Sequence, residues 1–225
     1  MRHVSVRELF EAKNLARVTE YLRSRAETAV SHELILLLHK MLISGIDDQI
    51  AGRFRGVNEY VRVGSHIAPA PEHVERLLQS LLVEHESNHE HYFLERIVYF
   101  HLEFERIHPF VDGNGWIGRV LINLQLAKLG FPPVIIRSKG KRDNYYPAFR
   151  VFQDSKKTDL LDRQLALAVI ESLHKGLACL KRREIVKPSD FAKTSDESIN
   201  SLINAARRQT IPAFWEKGIW KIGKQ

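Results

Sequence analysis

The sequence predicts a mainly α-helical protein with a small β-hairpin flap, followed by a small C-terminal module of helix and hairpin. Three features carry this reading. Apolar residues recur every three to four positions through most of the 225 residues, the spacing of one helix face. Glycines break that rhythm between Gly45 and Pro71. Positive charge gathers at the end of the chain: of the net +7, residues 181–225 hold a surplus of five, with ten Lys and Arg against five Asp and Glu. A preference for anionic partners is therefore expected of that end.

A chain of this length holds one well-buried domain and a small appendage, and an apolar fraction of 44% is ordinary for a folded protein. No apolar run reaches the roughly 18 residues that a bilayer crossing needs. The opening MRHVSVRELFEAKN lacks the apolar block of a signal peptide, and the single cysteine, Cys179, excludes an internal disulfide. The expected setting is cytoplasmic.

Leu9, Phe10, Leu15, Val18, Tyr21 and Leu22 mark a first amphipathic helix, and Leu34, Leu37, Leu38, Met41 and Leu42 a second. Between Gly45 and Pro71, Gly52, Gly56 and Gly64 interrupt the run while Val61 and Val63 alternate with Arg62 and Gly64, which predicts a hairpin or extended flap. Pro71 suits a first helical turn, Glu72 and Glu75 complement its dipole, and Val74, Leu77, Leu78, Leu81 and Leu82 give an apolar face ending near His85. A helix from Tyr92 buries Leu94, Ile97, Val98, His101 and Phe104 and stops at Ile107, because Pro109 has no backbone donor. Ile117, Val120, Leu121, Leu124 and Leu126 form the next, closed by Gly130 and Pro132. Helices over 144–152 and 159–180 complete the domain, set at residues 1–183. Residues 184–190 read as a linker. The module at 191–225 has helical spacing up to Arg208 and a hairpin around Lys217 and Gly218.

The run from His108 to Arg119, HPFVDGNGWIGR, carries the chemistry. Its glycines open a tight turn between two apolar helices, so that backbone N–H groups can face an anion at the start of the second. His108 can accept a hydroxyl proton at neutral pH. Asp112 offers a hard oxygen for a phosphate-bound Mg²⁺, and Arg119, one turn into the helix, a cation for a terminal phosphate. Phosphoryl chemistry needs mainly positioning and charge stabilisation.

This run resembles the Fic family signature HPFx(D/E)GN(G/K)RxxR, matching at His108, Pro109, Phe110, Asp112, Gly113, Asn114, Gly115 and Arg119. GRFRGVNEYVRVGSHIAPAP is similar to the family's hairpin flap and RDNYYPAF to the segment that closes on the nucleotide base, so the resemblance spans about residues 8–180. It implies a Fic-type helical domain and protein adenylyltransferase activity, the transfer of AMP from ATP to a protein hydroxyl, self-modification included. By that resemblance His108 is the general base and Asp112 the Mg²⁺ ligand. Gly113, Asn114 and Gly115 form the anion hole, Arg119 holds the terminal phosphate, and Phe110 anchors the loop. Val61, Arg62, Val63 and Gly64 form the flap beside the nucleotide and hold the target by strand pairing. Tyr145, Tyr146 and Gln153 line the adenosine pocket. ATP and Mg²⁺ are the expected cofactors.

Two departures qualify the match. Trp116 stands where the family carries its first arginine, and an indole supplies neither the charge nor the two-pronged donors. Weakened transfer, AMP removal or another phosphate transfer is the competing reading. The inhibitory motif Ser/Thr-x-x-x-Glu-Gly/Asn finds no full match, since Ser80 and Glu84 are followed by His85, while EAKNLARVTEYL resembles the stretch after the inhibitory helix. That helix is expected to be missing or supplied by a separate, antitoxin-like protein. A homodimer is a further expected partner arrangement.

Other clusters have plainer readings. His85, His89 and His91 have zinc-type spacing, but Ser87, Asn88 and the surrounding charge point to a solvated connection. His101 reads as a hydrogen-bonded core histidine. The module at 191–225 is winged-helix-like in rhythm, with basic residues suited to DNA phosphates. The alternative is that it only packs on the core or docks a protein, with Phe214, Trp215 and Trp220 at its centre.

Overall fold

The computed structural model describes residues 4–24, 28–88, 90–136 and 145–224. The chain forms two units, one of Met1–Leu129 with Tyr146–Thr158, the other of Gly130–Tyr145 with Asp159–Gln225. Among the described residues no helix is long and apolar enough to cross a membrane.

In the first unit, α1 (Val6–Arg23) begins at a capping box in which the Ser5 hydroxyl accepts from the Glu8 N–H and the Glu8 carboxylate accepts from the Ser5 N–H. That arrangement satisfies two of the donors a helix start leaves open. Ser31 caps α2 (His32–Ile43) in the same position. The buried Asn14 amide ties the two together, donating to the Leu42 and Ser44 carbonyls at 2.9 Å each. The glycine-interrupted stretch folds as expected into a short hairpin of β1 (Arg62–Val63) and β2 (His66–Ile67), with Arg62 opposite Ile67 and Val63 opposite His66. Pro71 starts a single 3₁₀ turn, Pro71–His73, before α3 (Val74–Ser87). The helix runs two residues past His85. Next come α4 (Phe93–Ile107), α5 (Asn114–Lys128) and α6 (Tyr146–Ser155).

The core joins Val18 of α1, Ile35 and Leu38 of α2, Leu78 of α3, Phe100 and Phe104 of α4, Phe110, and Leu121 of α5, all fully or almost fully buried. Each contributes about 1.5–3 kcal/mol by leaving water. α6 joins this unit through α4: Phe152 meets the Tyr99 ring edge-on at 5.7 Å, and Lys156 pairs with Glu103. α4 and α5 approach closely at Gly118, where a Cβ would lie 2.6 Å from Glu105 Oε1 and 2.7 Å from the His101 ring.

The second unit holds α7 (Asp159–Leu180), β3 (Ile185–Val186), α8 (Pro188–Phe191), α9 (Ile199–Arg208), β4 (Ala213–Glu216) and β5 (Ile219–Gly223). The strands form an antiparallel sheet in the order β3-β5-β4, and Lys217 and Gly218 take left-handed conformations at the hairpin turn. Two boundaries differ from the sequence reading. Residues 184–190 are not a bare linker: Ile185 and Val186 pair with Gly223 and Ile222, and Pro188 begins a helix at the first-turn position it favours. α7 is not part of the first unit; the Glu171 carboxylate accepts from the Trp215 N–H at 2.9 Å, and Lys175 pairs with Glu216 at 2.9 Å. Leu202, Ala206, Ala213, Trp220 and Ile222 form this unit's own core.

Gly118→Ala is expected to lower stability by about 1–3 kcal/mol, because the added methyl overpacks the α4–α5 contact. Urea unfolding of the two proteins measures it; an unchanged midpoint would mean that the helices separate at little cost.

Candidate functional site

α4 ends at His108, which caps the helix in a left-handed conformation (φ 51°, ψ 62°). Such a backbone is uncommon for a residue other than glycine and costs energy that surrounding contacts must offset. It turns the ring back over the last turn of α4, where Nδ1 lies 3.2 Å from the Glu105 carbonyl. A carbonyl can only accept, so Nδ1 carries the proton and Nε2 is left with its lone pair. Burial pushes the His108 pKa down to about 4; the Glu105 carbonyl opposes the shift and the positive charge of Arg55 adds to it. At neutral pH the ring is uncharged.

Arg55 holds this turn in place. It is 3% exposed, and its guanidinium donates to the His108 carbonyl at 2.7 Å and the Ile107 carbonyl at 3.2 Å, two acceptors that the end of α4 leaves open. The same group donates to the Glu59 carbonyl at 3.1 Å and the Pro69 carbonyl at 2.8 Å, which bracket the flap. The Arg55 N–H reaches the Pro109 carbonyl at 2.9 Å. The flap is tied to α4 a second time by His66, whose Nε2–H donates to the Arg106 carbonyl at 2.8 Å. Its strands expose Val63 and Ile67.

Beneath the glycine turn, His39 of α2 lies flat against Phe110, with ring centroids 3.7 Å apart and planes 5° from parallel. The Gly52 N–H donates to its Nδ1 at 3.0 Å, so Nε2 bears the proton and donates to the Asp112 carbonyl at 3.0 Å. Burial pushes the pKa of His39 to about 4. Asn114, buried at the start of α5, closes the turn: its Oδ1 accepts from the Phe110 N–H at 2.9 Å and its Nδ2 donates to the Phe110 carbonyl at 2.8 Å. The Asn114 side chain is thus spent on loop shape, while its backbone N–H stands at the start of α5. Gly113 adopts φ 82°, and a Cβ there would sit 2.9 Å from Ile43 Cδ1.

Asp112 Oδ1 accepts from the Gly113 N–H at 2.7 Å, and Oδ2 pairs with Arg7 of α1 at 2.5 Å. Burial raises the Asp112 pKa, but Arg7 and the Gly113 N–H outweigh it and hold the carboxyl below its ordinary value. It is ionised at neutral pH. Arg119 Cζ lies 5.0 Å from the centroid of the Trp116 ring, a cation–π distance. A proton acceptor, an ionised carboxylate and the start of α5 therefore stand along one short turn, with Arg119 one helical turn further on.

Residues 29–126 match the Fic/DOC family. The Protein adenylyltransferase Fic of Drosophila virilis is 40% identical over 116 residues, which are 50% of this chain and 23% of that protein. The chain thus spans under a quarter of the length of that relative. A Fic family protein from Desulfovibrio desulfuricans G20 superposes with a TM-score of 0.65 at 29% identity, covering 79% of this chain and 57% of the other. Fic-1 from C. elegans gives 0.68 at 25% identity, covering 81% and 55%.

Tyr146 is 55% exposed at the start of α6, which also carries Gln153, whereas Tyr145 is 4% exposed and belongs to the second unit. Arg142, Asp143 and Asn144 of the base-closing segment lie outside the described residues, as does His89. Among the described residues no group of three His, Cys, Asp or Glu is placed to hold a metal. His85 instead meets the Phe100 ring edge-on at 5.0 Å. His101 is buried against Gly118 as a core residue. Sequence reasoning missed Arg7, His39 and Arg55. A signal existed for His39, a lone polar residue one turn after Ile35 on the apolar face of α2.

Arg55→Ala is expected to cost about 3 kcal/mol, since it strands buried carbonyls at the end of α4. Arg55→Lys should recover only part, because one ammonium cannot reach four carbonyls. Urea midpoints of the three proteins decide it. The buried histidines give a second expectation. His39 and His108 refuse protons until about pH 4, and His101, also through burial, until about pH 3. The unfolded chain takes them up from about pH 6.5. Stability should therefore be full above pH 6.5 and fall as pH drops toward 4, read as a declining melting temperature.

Proposed function

We propose that the chain transfers AMP from ATP to a hydroxyl side chain of a target protein, itself included. The observation that carries this reading is the contact of His108 Nδ1 with the Glu105 carbonyl at 3.2 Å, which leaves the Nε2 lone pair of a neutral ring for a proton, close in sequence to the start of α5, whose N–H groups suit an anion. In the reaction, Nε2 takes the proton from the target hydroxyl, whose oxygen bonds to the α-phosphorus. The bond from that phosphorus to the bridging oxygen breaks, and pyrophosphate leaves. The N–H groups at Asn114 and Gly115 receive phosphate charge without needing to reorganise. Arg119 holds the terminal phosphate.

The residues present fit Mg²⁺, because that ion is commonly held by one or two carboxylates together with substrate phosphates, and Asp112 is an ionised carboxylate at the turn. When bound, the ion neutralises phosphate charge. Tyr146 and Gln153 are assigned to the adenosine side, and a target segment pairs with the hairpin flap at residues 61–64, where the exposed Val63, with Ile67 on the opposite strand, suits strand addition. The similarity to the protein adenylyltransferase of Drosophila virilis supports the activity, and a cytoplasmic setting suits ATP. A separate inhibitory protein and a homodimer belong to the same reading.

The Arg119–Trp116 stack favours one variation, in which transfer is slowed because Arg119 is partly held by the indole. ATP labelled at the α-phosphate, given to a cell extract with wild type or His108→Ala, tests the main reading. Label should pass to protein with wild type and fall at least about 100-fold with the variant. Trp116→Arg should then label faster. Equal labelling by wild type and His108→Ala would remove the reading; loss of rate in Trp116→Arg would remove the variation.

A further inference from the structure

In the second unit the order is helix, strand, helix, helix, strand, strand, with β5 between β3 and β4. α9 is the second helix of the α8–α9 pair, the position from which helix-turn-helix proteins enter a major groove. One side of α9 builds the core: Leu202, Ala206 and Gln209 are buried, with Phe191, Ala213 and Trp220 in the same cluster. The other side carries Asn200, Ser201, Asn204, Arg207 and Arg208, all exposed. At 100° per residue these five fall within an arc of about 120°, and from first to last they span about 12 Å; a helix, about 10–12 Å across with its side chains, fits a major groove about 12 Å wide.

We propose that this face of α9 binds duplex DNA by lying in its major groove. The side-chain types are those that read base edges: Asn forms paired hydrogen bonds with adenine and Arg with guanine. The charge is suited to the same partner. Three acids of the unit are neutralised internally: Glu184 pairs with Lys224 at 3.0 Å, Asp190 with Lys193 at 3.0 Å, and Glu216 with Lys175 at 2.9 Å and Lys221 at 2.6 Å. Arg207, Arg208 and Lys217 have no carboxylate partner among the described residues, and Lys217 is exposed at the β4–β5 turn, where a wing meets the phosphate backbone. Asp196 and Glu197 precede the helix start, so the phosphate contacts fall to its second half. A helix face built to dock on protein would be expected to be apolar or amphipathic; here Ile199 lies outside the polar arc.

The test uses the full chain and fluorescent duplexes of random sequence, about 24 base pairs long, followed by selection and sequencing of the retained pool. Retention at low salt that weakens steeply as salt rises is expected, together with enrichment of a short motif. Arg207→Ala with Arg208→Ala should weaken binding to every duplex on the order of 10- to 100-fold at 50 mM salt and reduce the salt slope by about two. Asn204→Ala should keep the slope and relax one position of the motif. His108→Ala should bind DNA as wild type does, so failure here is separable from failure of the transferase reading. No retention at 50 mM salt overturns the proposal. So does an unchanged slope in the double arginine variant with an unchanged melting temperature. Docking of a protein through α9 without duplex binding has the same consequence.

Discussion

Everything at the candidate site depends on one buried cation. The Arg55 guanidinium lies where three irregular pieces of backbone meet, the end of α4 and the two ends of the flap, and each leaves carbonyls without partners. A hydrophobic side chain there would leave those carbonyls unpaired at a position that is 3% exposed. A lysine would satisfy fewer of them. The planar group meets four at once, and in doing so makes the histidine turn and the flap a single rigid object. The spacing between the proposed base and the surface that would present the target hydroxyl is therefore built in before any ligand arrives, the kind of preorganisation on which transfer rates depend.

The glycine turn is supported differently, through rings and an amide. His39 fills the space beneath Phe110 as a flat neutral plate with one nitrogen accepting and the other donating, a task no other side chain matches at that thickness. Asn114 closes a loop that glycines alone would leave too many ways to fold. The left-handed backbone at His108 follows from both constraints: α4 must stop before Pro109, and the carbonyls at its end must point at Arg55.

Much of this was legible in the sequence. Helical spacing located α1 to α5 and α7, Pro109 fixed the end of α4, and the glycine-broken stretch marked the flap. The HPFVDGNG run also placed His108 and Asp112 on one turn. What was not legible is long-range. Nothing local in GRFRGV says that the second arginine is buried, because arginine is ordinarily solvated and only the fold supplies its four acceptors. Arg7 and Asp112 are 105 residues apart. The closing of the turn by the Asn114 side chain on Phe110 was not visible either. Residues 184–190 read as linker because two apolar residues, Ile185 and Val186, are too few to signal a strand until β5 is there to pair with.

The way the chain is shared between its two units bears on how it is made. The first unit needs Phe152 of α6 and Lys156 just after it, which follow residues of the second unit in the sequence, and α7 needs β4, which comes after a further stretch of chain. On a ribosome, where units fold in order of emergence, α4 appears long before its partner in α6, with the Tyr99 ring and the Glu103 carboxylate still open to water. The earliest unit to begin folding is thus held incomplete until the second has started, so a nascent chain stalled near residue 140 would expose an unfinished core rather than a finished domain.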